Sequence, residues 1–273
     1  MIATQEQTGP RVETMPAEEY HAKTDWLSNS MFKTFLEDPR LFEAEYVEKT
    51  LPRKQTNAME IGTIGHAAIL EPHIIEGVCL EIPEHVLSAN GAKSGNNWKD
   101  FKAEHEGRIL LKSDELSQVR GMFDACYRHP VARRLLLADG PTEASIFWTC
   151  SLSGLQRRVR PDKIVEGWGW VNVKTTTAGV DEEAFRRTVR NFRYDIGQEF
   201  YRDAGERLYG ERPPHVFLVV EQQPPHRVRV YQLGQPWITA ARDSIETNLL
   251  DFARRKEAGD WSHESELRIV PID

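Results

Sequence analysis

The order in which helical and strand-like segments follow one another constrains the fold of this chain more than any other feature. The first half, through Leu137, shows helical spacing of apolar residues, and Ser28 or Ser30 can cap the first helix. Strand-like runs follow at 142–151, 155–165 and 170–175, then helices at 181–192 and 195–209, strands at 215–221 and 227–233, and a helix at 236–258. This order predicts an α/β fold with a mixed central sheet flanked by helices and a helical N-terminal region.

Length and charge narrow the class of protein. A chain of 273 residues can bury a core of its own. Residues 1–25 are polar and lack periodicity, so we expect a flexible N-terminal arm followed by a single domain over 26–273. With 35 basic and 42 acidic residues, the formal net charge is -7. This balance argues against a wholly cationic nucleic-acid coat, but it allows a local basic groove.

Cysteine content and hydropathy disfavour several further classes. Cys79, Cys126 and Cys150 are far apart and form no CxxC pair, which argues against a disulfide framework, a thiolate zinc site and a four-cysteine iron–sulfur cluster. A reduced, cytoplasmic compartment is therefore expected. No stretch approaches the roughly 20 apolar residues of a membrane span, and residues 1–11 lack the apolar core of a signal peptide. We expect no membrane partner.

One hairpin carries the most informative chemistry. Asp162 ends one predicted strand, and Asn172 and Lys174 lie on the next strand on either side of Val173. Since residues i and i+2 of a strand share a face, Asn172 and Lys174 point the same way, and the hairpin can bring Asp162 beside them. This spacing alone is also compatible with an ordinary hairpin that carries a surface aspartate and lysine.

This arrangement resembles the PD-(D/E)xK nuclease signature, in which carboxylates on two strands hold Mg²⁺ and a lysine positions or activates the attacking water. Further motifs in the same order resemble the RecB-like branch of that superfamily, and more closely the exonuclease VIII (RecE-type) catalytic domain. They are GTIGHAAILEP (62–72), E-x-SIFW (143–148), RPDKI (160–164), VKTT (173–176) and DIGQEFYRDA (195–204). The resemblance covers roughly residues 26–265 and implies a restriction-endonuclease-like core.

The resemblance also implies roles at the metal site. His66 matches the helix histidine that supplies a metal ligand, and Glu143 matches an upstream acid that helps bind the metal or orient water. Asp162 matches the central metal-binding aspartate, and the Val173 carbonyl would be a backbone ligand. Without the motifs, His66 would read as a buried core histidine and Glu143 as a surface charge on a strand.

Around the metal, Lys174 matches the catalytic lysine. Gln198 and Tyr201 match a motif that borders the active site, although the spacing here is QxxY instead of the family's QxxxY. A helical core role for Tyr201 is an equal alternative. At position 172 the family has Asp or Glu, whereas this chain has Asn172, which offers an oxygen to Mg²⁺ but no charge. We hypothesise a weakened or inactive variant, natural or engineered.

Basic residues near this hairpin are candidates for phosphate contact. A first set lies on the hairpin, a second has helical spacing on one face, and one lysine lies in a Gly/Asn/Ser-rich loop that could be a DNA-facing flap. They are Arg157, Arg158, Arg160 and Lys163; Arg186, Arg190 and Arg193; and Lys93. The alternative for each set is a solvated charged face.

These residues and the resemblance together predict a Mg²⁺-dependent exodeoxyribonuclease, with Mn²⁺ as a substitute metal. By resemblance it would digest linear double-stranded DNA from the 5′ end and leave 3′ single-stranded tails for homologous recombination. By the same resemblance, its partner would be a RecT-type single-strand annealing recombinase, and the chain would form a ring-shaped homo-oligomer. It would act in the cytoplasm of a bacterium that carries the phage or prophage.

Two alternatives remain from the sequence. One is a catalytically dead module of the same fold that binds DNA or a partner. The other is an endonuclease or a CRISPR-associated RecB-type nuclease, although the missing cysteine cluster argues against the latter.

Overall fold

A computed structural model describes residues 9–51 and 56–262. The strands are β1 (Arg11–Glu13), β2 (Leu27–Ser28), β3 (Cys79–Glu81), β4 (Ile109–Leu111), β5 (Ser145–Thr149), β6 (Gln156–Val159), β7 (Lys163–Val165), β8 (Gly169–Thr176), β9 (His215–Glu221) and β10 (Val228–Tyr231). The α-helices are α1 (Ala17–Ala22), α2 (Asn29–Glu37), α3 (Pro39–Phe42), α4 (Asn57–Leu70), α5 (His73–Gly77), α6 (Asn96–Glu104), α7 (Ser113–Arg128), α8 (Pro130–Leu136), α9 (Glu182–Phe192), α10 (Tyr194–Tyr209) and α11 (Gln235–Ala258). A π-helical turn spans Glu43–Val47 and a 3₁₀ turn spans Glu84–Val86.

The central sheet has the strand order β10-β9-β8-β7. β8 and β9 run parallel, whereas β7 and β10 pair antiparallel to them at the two edges. Every residue of β9 is buried, as is typical of a strand that is covered on both faces. The predicted mixed sheet flanked by helices is thereby confirmed.

Each face of the central sheet has its own apolar layer. Val171 and Val173 of β8 point to one face and pack with residues of α4 and α7. Phe217 and Val219 of β9 point to the other face and pack with α9. This alternation follows from the period of two along a strand, and it holds α4 and α9 on opposite sides of the carboxyl end of β8.

A second sheet, of order β1-β5-β6-β2, lies beside the central one and packs against α2, α10 and α11. The predicted strand 155–165 is in fact two strands, because Arg160-Pro161-Asp162 interrupts it. Before this interruption the chain belongs to the second sheet, and after it to the central sheet. Proline cannot donate to a strand ladder, which explains why the pairing breaks here.

The predicted N-terminal arm requires a correction. Within residues 9–25, β1 pairs antiparallel with β5, and α1 follows it. Met15 and Tyr20 are buried against Phe147 of β5, so this segment is part of the folded unit. The apolar positions are too few to show periodicity, and tertiary contacts order the segment instead. The rest of the arm, residues 1–8, lies outside the described residues, as do 52–55 and 263–273 of the predicted domain.

Most of the helical predictions agree with the structure. The hydroxyl of Ser28 caps α2 by accepting a hydrogen bond from the Met31 amide at 3.3 Å. The short parallel pair of β3 and β4 was not predicted, because three-residue strands carry too little pattern. None of the helices in the described ranges combines the length and apolar character that crossing a membrane requires.

Candidate active site

Asp162 lies where the chain passes from the second sheet to the central one. Its side chain is buried, with the residue only 7% exposed. The carboxylate atom Oδ2 accepts a hydrogen bond from the backbone amide of Val173 at 2.6 Å. This bond spans the hairpin and fixes the carboxylate against β8, as the sequence spacing predicted.

His66 reaches this carboxylate from α4. Its Nε2 atom lies 2.9 Å from Oδ2 of Asp162. Two glycines allow this approach: a Cβ at Gly62 would lie 2.7 Å from Oγ1 of Thr175, and one at Gly65 would collide with the Met122 side chain. The GxxGH motif therefore has a structural reason, since only glycine lets α4 pack this closely against the end of β8 and against α7.

Glu143 completes an acidic cluster from the segment before β5. Its backbone has a positive φ of 55°, which is uncommon for a residue with a side chain. The Glu143 amide donates to the Asp162 carbonyl at 3.1 Å. Its carboxylate accepts a hydrogen bond from Nε of Arg160 at 2.5 Å. The strained backbone thus holds the carboxylate toward Asp162.

Lys174 extends over the same carboxylate from β8. Its Nζ atom lies 3.9 Å from Oδ2 of Asp162 and donates to the Val173 carbonyl at 3.0 Å. The ammonium also lies 5.6 Å from the centre of the Tyr194 ring, within the range of a cation–π contact. The Lys174 ammonium is therefore held beside the Asp162 carboxylate.

Asn172 occupies a different environment from these groups. Its residue is buried, and its amide oxygen Oδ1 lies 3.1 Å from Nε2 of His215, the first residue of β9. Burial, together with the charge of Lys174, lowers the pKa of His215 to about 3. The imidazole is therefore neutral, so Nε2–H donates to Asn172. The atom of Asn172 that could contact a cation already has this partner.

The ionisation of the His66–Asp162 pair follows from its surroundings. Burial alone would lower the pKa of His66, but the adjacent Asp162 carboxylate outweighs it and raises the pKa above 6.5. Burial would likewise raise the pKa of Asp162, but His66, Lys174 and the Val173 amide together lower it below 3.8. The carboxylate is therefore ionised at neutral pH.

The donor set fits a divalent cation. Ligand atoms of His66, Glu143 and Asp162 all lie within 4.8 Å of one another. Two carboxylates and an imidazole suit Mg²⁺ or Mn²⁺, and the nearby Val173 carbonyl is a further oxygen of the type that such ions accept. Within the described part of the chain, these three residues form the one group of His, Cys, Asp or Glu side chains close enough together to share a metal ion. Asn172 is a neighbour of this group that brings no charge.

Of the two residues matched to the QxxY motif, one borders the cluster. Tyr201 lines the depression that contains Glu143 and Asp162, and its hydroxyl donates to the Arg160 carbonyl at 3.4 Å. Gln198 is buried, and its amide donates to the Glu199 carboxylate at 3.4 Å. Both residues are buried on α10.

The hairpin arginines were predicted to contact phosphate, but two of them are buried. Arg157 is 1% exposed, donates to Oδ2 of Asp203 at 2.7 Å, and lies 4.0 Å from the centre of the Phe200 ring. Arg158 is buried too and donates to the Trp26 carbonyl at 3.1 Å. Both guanidinium groups join the second sheet to its neighbouring elements, and Arg158 also lines the depression that contains Glu143 and Asp162.

Three further cations have internal partners. The Arg160 guanidinium holds Glu143 and donates to the Met15 carbonyl at 3.0 Å. Lys163 is buried and donates to the Gly140 carbonyl at 2.6 Å. Lys93 pairs with Glu115 at 2.9 Å. Each of these three residues thus has a structural partner within the chain.

The predicted basic face on one helix is only partly correct. Arg186 and Arg190 lie on α9, but the helix ends at Phe192, so Arg193 does not continue its spacing. Arg193 adopts a left-handed backbone with φ 47° and pairs with Asp195 at 3.3 Å. Arg186 pairs with Glu182 on the exposed surface. Arg190 and Arg193 line one shallow depression together with Lys33.

Sequence reasoning missed His215 and Tyr194, which contact Asn172 and Lys174 respectively. His215 begins the strand that pairs parallel with β8, so its position beside Asn172 depends on the register of β8 and β9. A histidine that opens an otherwise apolar strand is the signal that could have indicated it. Tyr194 has no comparable signal, since it is the first residue of α10, directly after the break that follows α9.

Comparison with known proteins agrees with the motifs. No curated protein matches the chain. A solved structure of a "Putative exonuclease" from Eubacterium rectale has a TM-score of 0.63 at 15% identity, over 96% of this chain and 97% of that one. This likeness supports the fold alone. A family model for a PDDEXK-like domain of unknown function (DUF3799) matches residues 28–267. The match confirms the predicted PD-(D/E)xK type, and the chain belongs to this PDDEXK-like family.

Proposed function

We propose that the chain is a divalent-metal-dependent deoxyribonuclease that acts on the ends of linear double-stranded DNA. The observation that carries this proposal is the cluster of His66, Glu143 and Asp162, with the Lys174 ammonium 3.9 Å from the Asp162 carboxylate. This combination joins a hard-ligand metal site to a cation that can contact phosphate.

The residues of the cluster have separable roles in this proposal. Asp162 and Glu143 contribute negative charge to hold Mg²⁺ or Mn²⁺, and neutral His66 contributes a nitrogen. A cation held there would supply Lewis-acid chemistry, lowering the pKa of water and neutralising charge on the phosphodiester. Lys174 orients the attacking water or the scissile phosphate. The Val173 amide holds the Asp162 carboxylate in place, and Arg160 does the same for Glu143.

The finer expectations belong to this proposal as well. We expect digestion from the 5′ end to leave 3′ single-stranded tails, which a RecT-type annealing protein would bind during recombination. We also expect a ring-shaped homo-oligomer that encircles DNA, since a closed ring need not rebind between cuts. The support is the motif resemblance and, for exonuclease activity, the description of the structural neighbour.

A second candidate function rests on Asn172. Because this buried amide brings no charge and its oxygen already pairs with His215, the site has one carboxylate fewer than the family pattern. A member of this fold with weak metal affinity would bind DNA or a partner without cutting. This candidate predicts DNA binding with no cleavage, even when the carboxylate is restored.

The deciding experiment compares end-labelled linear and closed circular duplexes, with Mg²⁺ or Mn²⁺, for the natural chain, Asn172→Asp and Lys174→Met. The proposal expects cleavage of linear DNA only, higher activity or tighter metal binding in Asn172→Asp, and loss in Lys174→Met. Cleavage of circular DNA would indicate an endonuclease. Binding without cleavage in both the natural chain and Asn172→Asp would establish the second candidate.

A further inference from the structure

An aromatic side chain stands exposed at the edge of the candidate active site. Phe192 is the last residue of α9, and it is 60% exposed. Its ring stacks on Tyr194, with centroids 5.9 Å apart and planes at 26°. Tyr194 stacks in turn on buried Phe217, at 5.6 Å and 15°. The three rings form a ladder from the core to the surface, which holds Phe192 in one orientation.

The ladder forms a wall of a groove that begins at the metal cluster. The groove has a volume of about 520 Å³, and His66, Lys174 and Phe192 all line it. Much of the remaining lining is hydroxyl-bearing, from Thr63, Thr175, Thr176, Thr177 and Thr188. Among the described residues that line it, none carries a carboxylate, although the whole chain has a net charge of -7. The groove therefore suits a polyanion.

A second depression on the other side of Phe192 extends the basic character. Lys33, Arg190 and Arg193 line it, with Glu37 as the acidic residue in its lining. The Lys33 ammonium donates to the Phe192 carbonyl at 3.0 Å, which fixes the end of α9 as well. The exposed ring thus stands between two surfaces with cationic side chains, at the rim of the candidate active site.

We propose that this groove binds an unpaired DNA strand, with one base stacked on the exposed face of Phe192 and the adjoining phosphates along the threonines toward Lys174. The proposal rests on the proposed nuclease function for its substrate. Aromatic rings within a positively charged groove are the combination by which proteins bind single strands without sequence preference, because every base has a π face. A duplex does not expose the faces of its internal bases, so the site would favour a frayed or processed end.

The test measures binding in EDTA, so that cleavage plays no part. Fluorescein-labelled oligo(dT) and a covalently closed circular duplex are titrated with the natural chain, Phe192→Ala, Phe192→Trp and Tyr209→Ala. Tyr209, at the end of α10, is a matched control because it is an exposed aromatic at 56% that does not line the groove. We expect Phe192→Ala to weaken oligo(dT) binding roughly tenfold. We expect Phe192→Trp to retain the affinity for oligo(dT). The affinity of Phe192→Ala for the closed duplex should differ from that of the natural chain by less than twofold.

Several outcomes would overturn the inference. These are failure of the natural chain to bind oligo(dT), equal losses for both DNAs, or an unchanged affinity in Phe192→Ala. If sedimentation shows instead that Phe192→Ala abolishes self-association without altering DNA binding, the ring belongs to an interface between copies of the chain. A natural chain that cuts no DNA but loses oligo(dT) affinity in Phe192→Ala would contradict the proposed nuclease function and leave the groove assignment standing.

Discussion

Nε2 of His66 and Oδ2 of Asp162 lie 2.9 Å apart, and they join helix α4 to the junction between the two sheets. The contact is charge-assisted when His66 is protonated, and it is the place where a cation would compete with a proton. Its strength and the metal affinity of the site therefore depend on pH in opposite directions.

The first prediction concerns this pH dependence in the metal-free protein. The pKa of His66 is raised above 6.5, so its contribution to stability is fully present below 6.5 and is lost as the pH rises through the raised value. Asp162 has a lowered pKa, so the contribution also fades in strong acid, as the pH falls through that lowered value. Thermal unfolding in EDTA should show that His66→Ala is more destabilising at pH 5 than at pH 9. The exposed His73→Ala is the control, and a loss that is equal at both values would contradict the assignment.

The second prediction concerns the chemical roles of Lys174 and Asp162. Lys174→Met and Asp162→Asn should each reduce metal-dependent cleavage by roughly 10²–10⁴-fold, because each removes a charge next to the reacting phosphate. Initial rates on end-labelled DNA measure the loss, and circular dichroism checks the fold. Lys99→Met, on the exposed helix α6, should leave the rate unchanged; a similar loss there would indicate a general effect of charge.

The third prediction concerns the close approach of α4. In Gly65→Ala the new methyl group would meet the Met122 side chain, which must shift or push α4 away. We expect a loss of about 1–3 kcal/mol in the free energy of unfolding. A weaker affinity for Mn²⁺ in calorimetry should accompany it, because His66 follows directly. Gly77→Ala places its new Cβ in open space at a helical position, so it should change neither the free energy of unfolding nor the affinity for Mn²⁺.

The fourth prediction concerns Arg157, whose internal contacts replace the expected phosphate contact. Arg157→Ala leaves the Asp203 carboxylate without this partner and opens space against Phe200. Asp203 keeps a second partner, Arg212, at 2.6 Å, so the expected loss is about 1–3 kcal/mol in the free energy of unfolding by urea. The salt dependence of DNA binding by the remaining folded protein should be unchanged; a smaller salt slope would place Arg157 on the DNA after all.

The fifth prediction concerns Arg190, which lines the depression beside Phe192. Arg190→Ala should weaken DNA binding at all sequences and reduce the slope of log K against log salt by about 1, because one phosphate contact is lost. Titrations at several salt concentrations measure the slope. Arg186→Ala is the matched control on the same helix, since its side chain pairs with Glu182 on the exposed surface. Equal slopes in the two variants would exclude the contact.

Sequence predicted the residues whose positions depend on local geometry. The spacing of Asp162, Val173 and Lys174 needs only a hairpin and the two-residue period of a strand, and the structure has both. The family resemblance added His66 and Glu143, which come from distant segments that no local pattern links to the hairpin.

The errors concern side chains whose partners lie far away in sequence. Arg157 and Arg160 read as surface cations because a sequence shows charge without showing what covers it. Their side chains pair with Asp203 of α10 and with Glu143, and these pairings depend on how the second sheet packs. The pairing of Asn172 with His215 likewise depends on the register of two parallel strands, which the turn between them does not fix.

The passage of the chain from one sheet to the other at Arg160-Pro161-Asp162 links catalysis to the completion of folding. Glu143 precedes a strand of the second sheet, Asp162 enters the central sheet, and His66 arrives on α4. The metal cluster is absent from a partly folded chain, because the two sheets and α4 have not yet packed together. Under the proposed function, a nascent molecule therefore cannot cut DNA until these tertiary contacts have formed.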